Sequence, residues 1–415
     1  MVLFKDCDRA LLVKRIMELN PVLVGFGNLY PELKETADLV RMLDQAGREF
    51  PIVVGGQMVS PTPAFAVEIT GADIGVIGEG EITLHKIVIA LHSGEDLSGI
   101  SGIALRQDGG IRVNPNGEFI SDLDTLPPVP YELFPVEKWL EIGKWYAKNC
   151  PCPHWKIEDR VINVHGGRGC PYTCNFCYHH SRPRYRSMSV MFAEAAAALE
   201  RFDGNMLYFS DDLVLASPRR AGQLVTEIRK LSRRINYSVS TRFDNLARMD
   251  DELLGAMKET GCRIMGLGVE SGSDRILKII GKNTTADVIL AQLERLKKFG
   301  ILPTVSIMVG QHTETVEDVE ASIRLMKQSV LTDPLIQYAF TIMTPFPGSS
   351  LYDLIFKNNL LENDREFYNR YFSSTGEWKQ IVNLSAMTDQ QVLIMYQKIQ
   401  REYLQVKQIA LQRGQ

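Results

Sequence analysis

Apolar residues recur at helical spacing from Leu11 to Leu19, and Pro21 stops that predicted helix. A continuous apolar run follows, Val22-Leu23-Val24-Gly25-Phe26-Gly27, of the kind that is buried on both faces in a parallel sheet. The alternation then repeats. An amphipathic helix is predicted over Glu35–Gln45, a strand over Ile52–Gly56, a helix over Ala64–Thr70, and a strand over Ile74–Ile77 that runs into Gly78-Glu79-Gly80-Glu81. Strands alternating with helices, with glycines at the strand ends, predict an α/β doubly wound, Rossmann-like sheet with a ligand crevice along its carboxyl edge.

The pattern weakens between Ser98 and Pro135, which reads as a connector with a small hairpin around Asp108-Gly109-Gly110. It ends in Leu126-Pro127-Pro128-Val129-Pro130, a run that favours extended geometry. Trp139, Trp145 and Tyr146 fall on a further predicted helix. Beyond it the strand–helix alternation returns. Strands are expected over Val161 to His165, Asn205–Ser210, Ile235–Ser240, Ile264–Val269, Thr304–Val309 and Ile336–Ile342. Helices are expected over Val190–Phe202, Arg219–Arg233, Asp250–Thr260, Thr285–Phe299 and Val316–Gln328. Six such units form a partial version of the eight-unit barrel, and chemistry in such folds collects just past the strand ends. A final helix is predicted over Asp389–Gln412, covering the open side of the barrel or packing on the first domain. The blocks are residues 1–97, a connector at 98–155, the barrel at 156–350 and a helical region at 351–415.

The candidate chemistry sits where the first barrel strand ends. Val161 to Tyr178 reads VINVHGGRGCPYTCNFCY, which places Cys170, Cys174 and Cys177 in a C-x3-C-x2-C loop. Three thiolates on one loop suit three irons of a [4Fe–4S] cluster and leave the fourth iron open to a substrate or cofactor. Gly166, Gly167 and Gly169 let the backbone wrap closely, and Phe176 is placed to shield the cluster. The spacing alone also admits a structural zinc with His179 or His180 as fourth ligand, or inert core thiols. Cys150 and Cys152 lack a second pair that would complete a metal site, and read as free thiols.

Composition narrows the class without naming it. The chain has 415 residues, 45% hydrophobic and 23% charged, with a net charge of −4, as in a globular protein with no general attraction to nucleic acid or anionic membrane. The charged N-terminus, the absence of an apolar run of membrane-spanning length, and seven cysteines of which three are clustered predict a cytoplasmic protein without a disulfide framework.

The cysteine loop, with its aromatic residue before the last cysteine and a strand before the first, resembles the radical S-adenosylmethionine (SAM) superfamily. The N-terminal strands, the Gly55-Gly56 pair and the GEGE segment resemble the cobalamin-binding domain of one branch of it. The resemblance implies that SAM chelates the open iron. One electron from a low-potential donor such as flavodoxin or ferredoxin then releases a 5′-deoxyadenosyl radical. By the same resemblance, SAM is contacted by Phe176 and Tyr178, by Arg242 at its carboxylate, by Glu270 and Ser271 at the ribose, and by Met308 and Gly310 at the adenine, while Asp211-Asp212, two carboxylates able to accept from an ammonium group, lie near its methionine end or near substrate. Cobalamin would lie on Gly27, Gly55, Gly56, Gly78 and Glu79. Asp211-Asp212 also reads as a helix cap and solvated turn, and Arg242 as a salt bridge to Asp244 or Glu270. Where the family often has Leu-Pro-Gly-Glu this chain has Gln311-His312-Thr313-Glu314, so His312 is either substrate-facing or merely solvated. Thr344-Pro345-Phe346-Pro347-Gly348 matches a family turn that shapes the barrel rim.

One departure matters. The family's first domain normally opens with another strand and an Asp-x-His-x-x-Gly motif for the lower cobalt ligand; this chain begins beyond that strand and contains no such motif. The expected activity is therefore a cobalamin-dependent methyl transfer to a small organic substrate, or a cobalamin-independent cyclisation or oxidation with a remnant first domain. A non-catalytic iron–sulfur or zinc protein is the remaining alternative. Apolar residues at the barrel mouth point to a small organic or lipid-like substrate. No segment resembles a nucleic-acid module, and the three-cysteine N-terminal domain of tRNA methylthiotransferases is absent.

Overall fold

The structure, a computed structural model, describes residues 8–149, 155–178, 181–373 and 380–413. The chain divides into two compact units. The first unit is built on a five-stranded sheet of order β1-β2-β3-β4-β5, with β1 at Val24–Gly27, β2 at Ile52–Gly55, β3 at Ile74–Val76, β4 at Ile103–Gln107 and β5 at Gly110–Val113. The first three strands are parallel, with Gly27 opposite Gly55, and the last two form an antiparallel hairpin. That hairpin, expected within a connector, pairs with β3 and so extends the first sheet. Its inward residues Ile103 and Leu105 join Val53, Ile74, Val76 and Ile87 in one apolar core.

The same unit takes in residues 345–377 and 176–181. The reason is aromatic. Tyr30 is buried among Phe346, Phe367, Tyr371 and Phe372, with ring centroids 5.6 to 6.1 Å away. The first three pairs meet edge-to-face and the Phe372 ring is stacked, and each adds ring attraction to a large buried area. The turn at 345–348 thus packs with the first sheet. Gly348, at φ +89°, lies so close to the Tyr178 ring that a Cβ would meet it at 2.1 Å.

The second unit holds a six-stranded all-parallel sheet of order β13-β12-β11-β10-β9-β6. These strands are β6 (Val161–Val164), β9 (Met206–Phe209), β10 (Asn236–Thr241), β11 (Cys262–Glu270), β12 (Leu302–Val309) and β13 (Gln337–Ile342); β7 (Gly167–Arg168) and β8 (Arg184–Tyr185) form a separate two-stranded ribbon. Strand alternation sorts the side chains. On β12, Val305, Ile307 and Val309 are buried on one face, while Thr304, Ser306 and Met308 lie on the other and are part-exposed. The register sets Ser240, Gly266 and Thr304 in one row across three strands, so the inner face carries small and polar residues. The helix Asp389–Arg413 lies along the helix Val316–Thr332 and the edge strand β13, where Tyr396 and Tyr403 donate to the carbonyls of Phe340 and Ile336. Among the described residues no helix is long and apolar enough to cross a membrane.

Candidate active site

The cysteine loop is held by the strand ends around it. Asp211, just past β9, accepts the backbone N–H groups of Gly166 at 2.7 Å and Gly167 at 2.8 Å, and Asp212 accepts that of Gly169 at 2.9 Å. These two carboxylates therefore fix the start of the loop. Burial pushes the Asp211 carboxyl above its usual range despite the two N–H donors, and its Oδ2 has no hydrogen-bond partner. A Cβ at Gly166 would meet the Met191 sulfur at 2.4 Å and displace it, and the buried Arg220 donates to the Gly166 carbonyl at 2.9 Å.

Further along the loop, the Asn175 N–H and side-chain amide donate to the carbonyls of Ile280 and Ile279. Cys174 is buried, Cys170 half-buried and Cys177 exposed. Burial raises the Cys170 thiol above its ordinary range. Arg242 is buried past β10. It donates to the Cys174 sulfur at 3.2 Å, pairs with Asp244 at 3.0 Å and stacks 3.8 Å above the Tyr172 ring. Of the partners expected for Arg242, the structure supplies Asp244. Phe176 and Tyr178 are half-buried, and Tyr178 shares a side-chain hydrogen bond with Ser60. Cys150, Cys152, His179 and His180 lie outside the described residues. Among the described residues no three His, Cys, Asp or Glu side chains are gathered around one point. Three soft thiols on one short loop suit iron–sulfur chemistry better than a hard cation.

The end of β11 is distorted. Its register against β12 shifts between Gly268 and Glu270, and Glu270 sits in the left-handed region at φ +63°. A bulge of this kind re-aims a side chain, and strain of this sort collects at functional positions. The buried Glu270 carboxylate pairs with Lys282 at 3.1 Å and accepts the Ser306 hydroxyl at 3.1 Å. A Cβ at Gly268 would meet Glu270 Oε1 at 2.0 Å, so any other residue there displaces that carboxylate. Ser271 is buried against Ser322 and accepts the Ser273 N–H. Sequence reasoning missed Lys282 and Ser306. A lone lysine twelve residues past a glutamate carries no spacing signal, and only the alternation along β12 marks Ser306 as inward.

At the end of β12, Gly310 takes φ +87° and Met308 is part-exposed on the inner face. Glu314 Oε2 accepts the N–H groups of Gly310 at 2.6 Å and Gln311 at 3.1 Å, while its Oε1 is unpaired and fully buried. Burial pushes the carboxyl up to about 8. His312 is half-buried on the same loop. The native chain holds a proton on Glu314 that the unfolded chain releases above its ordinary value of 4.5. Stability therefore falls as pH rises from 4.5 through about 8. Relative to Glu314→Gln, which has no proton to lose, the unliganded wild type should lose on the order of 3–5 kcal/mol between those limits, at about 1.4 kcal/mol per unit. Unfolding midpoints measured from pH 5 to pH 9 check this, and parallel curves for the two proteins would contradict it.

In the first unit, a crevice of about 430 Å³ lies at the carboxyl ends of β1, β2 and β3, lined by Gly27, Asn28, Leu29, Gly56, Ser60 and Gly78. A Cβ added at Gly27 or Gly78 would meet nothing within 4 Å, so these glycines leave open a cradle that side chains would fill. Gly56 is different: at φ +82° its Cβ would meet the Asn28 carbonyl at 2.7 Å. Gly55 stands beside Val76, and Glu79 turns away to accept from Ser181 and from the Ile120 N–H. The glycine-lined cradle at the sheet's carboxyl edge fits a bulky planar cofactor.

Residues 164–326 match the Radical SAM superfamily and residues 2–88 match the B12 binding domain. A relative in Pyrococcus horikoshii, the uncharacterized methyltransferase PH0819, is 30% identical over 365 residues, which are 86% of this chain and 74% of that protein. The chain belongs to the radical SAM superfamily. It is an enzyme of that type, with a [4Fe–4S] cluster and SAM as cofactors and a B12-binding domain in front of the barrel. A second relative, the anaerobic magnesium-protoporphyrin IX monomethyl ester cyclase of Rubrivivax gelatinosus, is 24% identical; the match covers 82% of this chain but 59% of the cyclase. The fold is shared with the radical SAM methyltransferase TsrM of Kitasatospora setae, solved with cobalamin and a [4Fe–4S] cluster bound. That likeness has a TM-score of 0.65 and 20% identity, and covers 86% of this chain and 68% of the other.

Proposed function

We propose that this radical SAM enzyme is a cobalamin-dependent methyltransferase acting on a small organic substrate. The observation that carries the reading is the joining, in one chain, of the three-cysteine loop at the head of the barrel with a glycine-lined cradle in a B12-binding domain. The methyltransferase names of PH0819 and TsrM support it. The chemistry available with these groups bound is reductive cleavage of SAM to a hydrogen-abstracting radical and delivery of a methyl group carried on cobalt.

The chain's own residues position and shield. Cys170, Cys174 and Cys177 are the proposed cluster ligands, and Asp211 and Asp212 hold their loop in shape. Arg242, donating to the Cys174 sulfur, stabilises negative charge on that ligand and so tunes the cluster's potential. Glu270 is the proposed acceptor for the ribose hydroxyls, held in readiness by Lys282 and Ser306. The inner face of Met308 and the backbone at Gly310 are the proposed adenine wall. A low-potential flavodoxin or ferredoxin is the proposed electron donor, and a reducing cytoplasm the proposed setting.

The test needs no substrate. Protein reconstituted with iron, sulfide and hydroxocobalamin is reduced and given methyl-labelled SAM. The expected result is about one equivalent of S-adenosylhomocysteine per bound cobalt, with the label on cobalt. SAM cleavage to 5′-deoxyadenosine with no label on bound cobalt would overturn methyl transfer and favour cyclisation or oxidation.

A further inference from the structure

Two cavities in the second unit meet at one pair of aromatic rings. The first, about 330 Å³, lies on the inner face of the barrel strands against Ser210, Asp212, Ser240, Gly266 and Thr304. It is polar. The Ser210 hydroxyl is 3.2 Å from the His165 ring, and the buried Ser240 hydroxyl has no hydrogen-bond partner. The second cavity, about 390 Å³, lies between the helix Val136–Asn149 and strand β6, lined by Val136, Trp139, Leu140, Gly143, Ala147 and Val161. It is apolar. Trp155 and Tyr208 line both, with their rings edge-to-face at 5.9 Å.

Gly143 decides how the apolar cavity is read. A glycine in the middle of a helix weakens it, and no positive φ requires one at this position. A Cβ there would meet nothing within 4 Å. The missing side chain is what leaves the cavity open. Trp139, which lines the cavity, is itself an exposed apolar residue.

We infer that the substrate is amphipathic: its polar, reacting end lies on the barrel's inner face, and an apolar body of alkyl, isoprenoid or fused-ring character fills the cavity beside Gly143. This rests on the enzyme reading above and names its substrate class. Ser210 and Asp212 on the cavity wall give the polar end partners, and the Trp155–Tyr208 pair marks the crossing from polar to apolar.

The probe is 1-anilinonaphthalene-8-sulfonate, an apolar ring system with one charged end, bound to the full-length protein and followed by fluorescence. Binding is expected to saturate at one site and to weaken at least tenfold in Gly143→Phe, with unchanged far-ultraviolet circular dichroism. Dodecanoate should displace the probe at a concentration at least tenfold below that needed for hexanoate. Equal probe affinity in wild type and variant, or equal displacement by the two acids, overturns the inference. Loss of SAM cleavage by the reconstituted wild type would instead overturn the enzyme reading, so the two failures are distinguishable. Should Gly143→Phe fail to fold, Ala147→Phe fills the same cavity from the next helical turn, and unchanged probe affinity in that variant is equally contrary.

Discussion

Replacing Cys174 by alanine is expected to remove both the cluster and reductive SAM cleavage while the chain keeps its fold. After anaerobic reconstitution, iron should fall from about four per chain to background, with loss of the broad absorbance near ~400 nm. No 5′-deoxyadenosine should form. The fold should survive because the loop is fastened by other groups. Asp211 and Asp212 bind its glycine N–H groups, Asn175 is tied to Ile279 and Ile280, and Arg242 keeps Asp244 as partner when the sulfur is gone. The buried sulfur itself contributes about 1 kcal/mol of burial, too little to unfold a chain of this size. Retained SAM cleavage in this variant would sink the assignment of Cys174.

The second large effect is expected from Gly27→Val. Gly27 ends β1 on the wall of the crevice, with no positive φ and no atom near its missing Cβ. Valine is therefore tolerated by the strand and projects into the cradle. Cobalamin binding should weaken at least about tenfold, or about 1.4 kcal/mol, with iron content unchanged. Gly56 is the poorer test site, since its clash with Asn28 would damage the fold itself. Unaltered cobalamin affinity, measured by absorbance titration, would move the cofactor away from this crevice.

The parts of this account that were legible in the sequence share one property: they are encoded locally. The cysteine spacing, the strand–helix alternation and the 3.6-residue pattern of the last helix each lie within a short window, so composition and period sufficed. What was not legible depends on residues far apart in the chain. Nothing local says that Phe346, Phe367 and Tyr371 close around Tyr30, or that the hairpin at 103–113 completes a sheet begun at Val24. Asp211 and Asp212 stood in the sequence as candidate ligands for an ammonium group or as a turn. Their partners in the structure are backbone N–H groups forty-odd residues upstream, a pairing no motif announces. Glu270 was singled out by resemblance, but the bulge that aims it, and Lys282 and Ser306 that hold it, arise from strand register.

The central claim is that one chain carries both a radical-generating cluster and a methyl-carrying cobalt. The measurement that tests it most directly is a count of iron and cobalt per chain, after anaerobic reconstitution with iron, sulfide and hydroxocobalamin and removal of unbound metal. About four irons and about one cobalt are expected. Four irons with no cobalt would contradict it, leaving the first unit's crevice without its proposed occupant.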